Sequence, residues 1–146
     1  MIADLHASQE LVPSYPLISK AASYKKFRKS LAELLERIFT SAAEADALYD
    51  EALIETFIAW ISAMSSSALR AFRHTATAIA LWTIGALAQV GGELKKELAS
   101  ATKSRDAERK KARADKARLK ELEFKVKEVT AAKKRIDGAI EELIST

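Results

Sequence analysis

Residues 65–87 read SSSALRAFRHTATAIALWTIGAL. This stretch joins a basic knot, Arg70, Arg73 and His74, to a segment without charge that continues to Gly92. A helix that is apolar on all sides is typical of the core of a domain. The segment also contains threonines, a glutamine and three glycines, and it falls short of the roughly 20 strongly apolar residues that a membrane span requires. We therefore predict a buried helix here, no membrane partner, and a structural role for the basic knot as its hinge and anchor.

The whole chain has 146 residues, enough for one domain with its own hydrophobic core. It contains no cysteine, which excludes disulfides, cysteine-based zinc sites and thiol nucleophiles and suits a reducing compartment. The first residues, MIADLHASQELVPSYPL, lack the basic start and the apolar run of a secretory signal. We expect no export signal in this sequence.

After Pro16 the chain has the pattern of a helical protein, because apolar residues recur at intervals of three and four. The spacing predicts a first helix that ends near Thr40, a polar link over residues 41–46, and a second helix stopped by the serines at 65–67. The two apolar faces consist of Phe27, Leu31, Leu34, Leu35, Ile38 and Phe39, and of Leu53, Ile54, Phe57, Ile58, Ile61 and Met64. A short helical turn that carries Arg70 and Phe72 is expected before the buried helix. No strand pattern is present, and the predicted fold class is all-α.

A heptad seam closes the sequence. It consists of Leu119, Leu122, Val126, Val129, Lys133, Ile136, Ile140 and Leu143. Such a seam needs a partner helix, and a chain reversal within residues 110–115 would supply one, with Gly91 facing Lys133. The alternatives are an intermolecular coiled coil or one unbroken helix of about 50 residues, roughly 75 Å long. The hairpin is favoured, although the proposed turn contains no glycine or proline.

Charge is distributed unevenly along the chain. Residues 95–135 carry sixteen Lys or Arg against seven Asp or Glu, a net charge of +9, whereas the rest of the chain carries eight against thirteen, a net charge of −5. Most of the basic residues form what we call the 103–120 cluster: Lys103, Arg105, Arg109, Lys110, Lys111, Arg113, Lys116, Arg118 and Lys120. A second group, the 25–29 cluster, opens the first helix: Lys25, Lys26, Arg28 and Lys29.

No arrangement of residues predicts catalysis. His6 and His74 are 68 residues apart, and neither has an acidic partner at metal-ligand spacing. The serines at 65–67 lack the context of a nucleophile, and Gly91-Gly92 begins GGELKK, whose spacing does not match a phosphate-binding loop. We expect no enzyme, no metal and no cofactor.

Clustered cations favour binding to phosphates, since their contacts release counterions condensed on nucleic acid of any sequence. Aromatic residues do not interleave the 103–120 cluster, so contacts with the backbone of double-stranded DNA are favoured over stacking on single strands. The basic start of the first helix opposes the helix dipole, an arrangement that an external anion would relieve. A solvated helix face without function remains the alternative for each cluster.

Four segments in order resemble the N-terminal region, including the STAG domain, of the stromal antigen (STAG) family of cohesin subunits. They are YPLISK with SYKKFRK, ALYDEALIETFIAWI, SSALRAFRHTAT and RDAERKKARADKARLKEL, within residues 15–146. The resemblance implies a HEAT-type helical scaffold in the nuclear cohesin complex that recruits cohesin to chromatin by binding DNA. It also implies that the kleisin subunit binds mainly through repeats beyond this stretch.

Together these observations predict antiparallel helices of HEAT-like type with a long protruding charged hairpin. We expect a loosely held segment over residues 1–22 and one domain over residues 23–146, with a helical core at 23–92 and the basic hairpin at 93–146. The predicted function is binding of double-stranded DNA through both clusters, in the nucleus on chromatin, in support of sister chromatid cohesion. The alternative is a helical arm that docks a cohesin loader or regulator, its basic face meeting an acidic partner.

Overall fold

The computed structural model describes residues 15–49, 51–111, 113 and 115–146. In this part of the chain the elements are α1 (Ala22–Glu44), a 3-10 turn (Ala47–Tyr49), α2 (Glu51–Ser65), α3 (Arg70–Arg109) and α4 (Lys116–Ser145). No strand occurs among these residues, and the predicted all-α class is confirmed. The HEAT-like arrangement stays a prediction.

The first helix is longer than predicted. It does not end near Thr40 but continues to Glu44, because Ala42 and Ala43 pack against the hydrophobic core and keep the last turn helical. The chain leaves the helix at Asp46, whose φ of 57° lies in the left-handed region that Asp tolerates better than most residues.

The junction between α2 and α3 also differs from the prediction. The second helix ends at Ser65, as the serine triplet indicates, and the hydroxyl of Ser67 accepts a hydrogen bond from the Leu69 amide at 3.2 Å. No separate turn precedes the buried helix, since α3 begins at Arg70 and is continuous. The hydroxyls of Thr75 and Thr77 donate to the carbonyls four residues earlier, at 2.8 and 3.0 Å, without breaking the helix.

The core forms where α3 packs against the other three helices. Its largest fully buried side chains are Phe39, Leu48, Leu87, Ile136 and Thr83. The rings of Phe39 and Phe57 meet edge to face, with centroids 5.1 Å apart, and join α1 to α2. The core therefore depends on α3 as its central element.

Helices α3 and α4 run antiparallel, joined by residues 110–115. Glu97 and Lys125 form an ion pair of 3.0 Å between them. A Cβ placed on Gly91 would lie 3.5 Å from the Ile136 side chain, so Gly91 packs against the buried Ile136 and not against Lys133 as predicted. Lys133 instead pairs with Asp137 on its own helix, which lets its charge stay at the surface.

Among the described residues, α3 alone is long and apolar enough to cross a membrane by length and composition, with an 18-residue window of mean hydropathy 1.2. The core helix of a soluble protein meets the same criterion. About a third of this window is buried, and α3 packs against α1, α2 and α4. These contacts favour the predicted core helix.

Replacing Phe39 by Ala should lower the free energy of unfolding by about 3–5 kcal/mol, because Phe39 is only 1% exposed and its truncation leaves a cavity against Phe57. Urea denaturation followed by circular dichroism measures the change. The matched control is Trp60→Ala on α2, where the ring is 68% exposed and the expected change is within about 0.5 kcal/mol. Equal effects of the two substitutions would contradict the described core.

Replacing Thr83 by Val should raise the free energy of unfolding by about 1 kcal/mol. Thr83 is fully buried, and its hydroxyl oxygen has no hydrogen-bond partner in the part of the chain that the structure describes. Exchanging an unsatisfied buried hydroxyl for a methyl group of similar shape removes a desolvation cost. As a control, Thr77→Val removes a made hydrogen bond at an exposed site and should not stabilise the protein. A destabilised Thr83→Val variant would refute the assignment.

Candidate nucleic-acid interface

The 103–120 cluster spans the end of α3, the connection and the start of α4. The 3-10 turn meets this helix pair at the level of Arg135, whose Nη1 donates to the Tyr49 carbonyl. Further along, the ion pair of Arg109 with Glu123 joins α3 directly to α4 at 2.5 Å. The cluster therefore lies at the end of the pair that α3 and α4 build together.

Two acidic residues organise the chain reversal. Glu108 is 4% exposed, and its carboxylate accepts hydrogen bonds from Lys111 Nζ at 2.5 Å and from the Asp115 amide at 3.2 Å. Asp115 is the N-cap of α4, and its side chain accepts from the amides of Ala117 and Arg118 at 2.9 and 3.3 Å. These hydrogen bonds stabilise the chain reversal, although it contains no glycine or proline.

The pKa of Glu108 lies below its ordinary value. The hydrogen bond from Lys111 is the largest cause, the bond from the Asp115 amide is the second, and the positive charges of Lys111 and Arg118 add to them. Burial acts in the opposite direction and is outweighed. Glu108 is therefore held in its charged form, with its charge directed at the connection.

Three members of the 103–120 cluster are engaged within the protein. Arg105 is half-buried and pairs with Asp106 at 2.9 Å, Arg109 pairs with Glu123, and Lys111 pairs with Glu108. A cation that already faces a carboxylate gains less from a phosphate, because the acidic partner must be displaced or left close to the DNA. These three are the weakest of the predicted contacts.

The other six members are exposed and have no ion-pair or hydrogen-bond partner for their side chains among the described residues. They are Lys103, Lys110, Arg113, Lys116, Arg118 and Lys120. Three of them follow Asp115 within the first turns of α4, and Lys110 is the C-cap residue of α3. This end of the helix pair thus presents six cations that are available to an external anion.

The 25–29 cluster divides in the same way. Arg28 Nη1 donates to the carbonyl oxygens of Leu17 and Ser19 at 3.4 and 2.7 Å, and Lys29 forms an exposed pair of 3.5 Å with Glu33. Lys25 and Lys26 are exposed, without a partner for their side chains in the described part of the chain. Two of these four residues are therefore available for binding.

Arg28 helps to hold the part of the 1–22 segment that the structure describes. Leu17 is buried, and the hydroxyl of Tyr15 donates to the Ala71 carbonyl at 3.1 Å and lies in contact with the hydroxyl of Thr75. From residue 15 onward this segment therefore contacts α1 and α3, and the loose attachment of residues 1–22 as a whole stays a prediction. Residues 1–14, including His6, lie outside the described residues.

The two clusters lie near opposite ends of α3. The 25–29 cluster is linked through residues 15–19 to Ala71 at the start of the helix, while Lys103 lies 32 residues further along. At 1.5 Å per residue this is a separation of about 50 Å. The clusters do not form one continuous patch, and a single DNA duplex could contact both only by running along the helix pair.

Histidine and serine take structural positions. The ring of His74 meets the ring of Tyr15 edge to face at 5.6 Å, and Ser65 Oγ donates to the Ser62 carbonyl at 2.8 Å. Arg73 of the basic knot donates to the carbonyls of Ser67 and Ala68, which ties α3 to the junction before it. Among the described residues there is no group of three or more His, Cys, Asp or Glu that could hold a metal ion.

Sequence reasoning missed Glu108, the one buried charged residue of the described chain. A signal for the reversal was present, since Asp115 stands directly before a helical pattern and Asp is a preferred N-cap residue. The burial of Glu108 had no comparable signal, because a Glu three residues before a Lys also occurs on exposed helix faces, as in Glu93 and Lys96.

Comparison with known proteins assigns the family. The family model of the STAG domain matches residues 13–125, which include both clusters and the chain reversal between α3 and α4. The chain belongs to the STAG domain family. The resemblance recognised in the sequence is confirmed.

Relatives of this STAG domain carry names of cohesin subunits. It is 36% identical over 115 residues to cohesin subunit psc3 of Schizosaccharomyces pombe, which covers 79% of this chain and 12% of the relative. It is 32% identical over 131 residues to cohesin subunit SA-3 of Homo sapiens, covering 88% and 11%. With cohesin subunit scc-3 of Caenorhabditis elegans it shares 35% identity over 106 residues, covering 73% and 9%. The chain thus spans about a tenth of the length of these relatives.

Replacing Glu108 by Gln should destabilise the STAG domain in a pH-dependent way. The folded-state pKa is lowered, so the charged carboxylate contributes stability above its ordinary pKa of 4.5, and this contribution is lost as the pH falls through the folded-state pKa. The difference in melting temperature between wild type and variant should be largest near neutral pH and should shrink towards pH 3. Thermal denaturation at several pH values measures it.

Glu93→Gln is the matched control for this experiment. Glu93 also pairs with a lysine three residues later, but its side chain is largely exposed. Its replacement should shift the melting temperature little at any pH. If Glu108→Gln and Glu93→Gln behave alike, Glu108 does not hold the connection.

Proposed function

We propose that this chain is a DNA-binding module of a cohesin stromal antigen subunit, which contacts the phosphates of double-stranded DNA with little sequence preference. One observation carries the proposal: six exposed cations without partners in the described chain share the end of the α3–α4 pair. Each cation that neutralises a phosphate releases a condensed counterion, a term that does not depend on base sequence.

The geometry suits a duplex backbone better than single strands. Phosphates of one strand follow each other at about 3.4 Å along the duplex axis, so cations spread over the last turns of α3 and the first turns of α4 can reach several of them. Residues 103–120 contain no aromatic side chain on which an unpaired base could stack. Lys25 and Lys26, about 50 Å away, supply a second and weaker contact point.

The names of the relatives support a proposal for the cellular setting. Because proteins named as cohesin subunits share this domain, we propose that the parent protein belongs to the cohesin complex, acts on chromatin in the nucleus and supports sister chromatid cohesion. Binding of the kleisin subunit is assigned mainly to parts of such a protein outside this chain. In this proposal the module provides affinity for DNA, and the rest of the cohesin complex determines where on chromatin the module binds.

Salt dependence tests the mode of binding. If about six phosphates are neutralised, a double-logarithmic plot of the binding constant for a mixed-sequence duplex against salt concentration should have a slope near −5. Fluorescence anisotropy with labelled duplexes of different sequence measures both slope and sequence preference. Absence of binding at low salt would refute the proposal for this chain.

A triple substitution of Lys110, Arg113 and Lys116 by Gln locates the contact. These residues are exposed and without ion-pair or hydrogen-bond partners in the described chain, so removing three of six cations should roughly halve the slope, with the melting temperature nearly unchanged. Lys111 is left in place because it binds Glu108.

The matched control is a triple substitution of Arg37, Lys95 and Lys134 by Gln. These cations are also exposed and without partners in the described chain, and their removal changes the net charge equally. The control should keep a slope near −5. If both triples weaken binding to the same extent, net charge rather than the 103–120 cluster determines the affinity.

A second candidate function is a docking arm for a cohesin loader or regulator with an acidic surface. Phe124 on α4 favours it, since a large aromatic side chain that is 64% exposed is typical of a protein interface. In that case Phe124→Ala would leave the affinity for DNA unchanged and would weaken the protein complex.

A further inference from the structure

A second surface lies at the opposite end of α3, where residues 15–18 cross the first turns of the helix. There the structure contains an open groove of about 660 Å³ whose lining is mainly apolar. Ile18 is 64% and Phe72 40% exposed at its rim. Exposed large apolar side chains that line one concave surface mark a binding site more often than isolated ones do.

The walls of the groove are fixed by internal contacts. Tyr15 bonds to the Ala71 carbonyl and lies in contact with the hydroxyl of Thr75, and its ring packs edge to face against His74 at an interplanar angle of 73°. Arg28 holds the carbonyl of Ser19 at 2.7 Å. A surface that is already ordered loses little conformational entropy when a ligand binds.

The charge of the groove has one sign. Arg70 is exposed and has no partner for its side chain in the described chain, whereas its neighbour Arg73 donates to the carbonyls of Ser67 and Ala68 at 2.7 and 2.9 Å. Among the described residues no carboxylate lines the groove, and the first turn of α3 contains no acidic residue. The helix dipole adds partial positive charge at the same place. A ligand carboxylate is therefore the complementary group.

We propose that this groove binds an extended segment of a partner protein in which an acidic residue stands next to a large apolar residue. The carboxylate pairs with Arg70, and the apolar side chain covers Ile18 and Phe72. The groove lies about 50 Å from the 103–120 cluster, so DNA held at that cluster and such a segment can bind at the same time.

A protein segment fits this groove better than nucleic acid does. Only one unengaged arginine is present in the lining, while phosphate recognition uses several cations. The rings of Tyr15 and His74 lie nearly perpendicular to each other and do not offer parallel faces for stacked bases. The most exposed rim residue, Ile18, is aliphatic and suits an apolar side chain.

The test uses a displayed library of random heptapeptides, selected on the full chain. The expected result is enrichment of peptides with Asp or Glu adjacent to Leu, Ile, Met, Phe or Trp. Labelled peptides from the selection should bind the Arg70→Glu and Ile18→Ser variants at least tenfold more weakly by fluorescence polarisation. Arg70→Lys should recover part of the affinity, because it keeps the charge but not the planar guanidinium.

Arg37→Glu is the matched control, since Arg37 is an exposed arginine of α1 without a partner in the described chain. It should leave peptide affinity unchanged, and all variants should keep the wild-type melting temperature because the replaced side chains are exposed. No enrichment, enrichment without acidic residues, or equal binding to Arg70→Glu would overturn the proposal. The affinities of wild type and Arg70→Glu for a 20-nucleotide single strand and a 20-base-pair duplex are measured as well. A tenfold loss of either affinity in Arg70→Glu would show that Arg70 binds nucleic acid and would also overturn the proposal.

Discussion

The apolar seam between α3 and α4 is the contact on which the rest of the structure depends. Leu87, Val90 and Leu94 of α3 and Val129 and Ile136 of α4 are buried together, and α1 and α2 then add their apolar faces to the same helix. A lone helix of 40 residues with an apolar first half would leave that half in water. Pairing with α4 helps to bury this apolar half. The polar second half of α3 pairs with the start of α4, and this part of the helix pair carries the cations.

Two carboxylates make this pairing compatible with a basic end. A reversal between two highly cationic helix ends brings like charges together, and the energy of that repulsion falls when counter-charges lie among them. Glu108 and Asp115 supply such charges while they satisfy amide groups of the connection and the start of α4. Glu108 is buried and bonded to Lys111, whereas Asp115 is exposed and its carboxylate is engaged with the amides at the start of α4.

The fold could be predicted from the sequence as far as periodic patterns reach. Apolar residues at intervals of three and four positions predict the helices and favour α4 as the partner of α3. They do not determine where a helix ends, because helix ends depend on local packing. Thus Ala42 and Ala43 extend α1 past Thr40, and Thr75 bonds back to Ala71 instead of starting a new helix. The sequence did not predict that Gly91 packs against Ile136. When α4 is shifted by three residues along α3, its apolar residues still meet apolar residues of α3, so the pattern alone does not determine the register.

The candidate site could be predicted less well, because sequence reveals where cations are but not what each one faces. Arg70 and Arg73 differ by three positions, yet one bonds two carbonyls of the preceding junction and the other is unengaged beside an apolar groove. Arg28, likewise, stands among lysines but ties down residues 17–19. A guanidinium presents five N–H donors in a rigid planar fork, and in Arg28 and Arg73 these donors reach backbone carbonyls of a neighbouring segment. The net charge of residues 95–135 therefore overstates the binding surface, and the distribution of unengaged cations defines it.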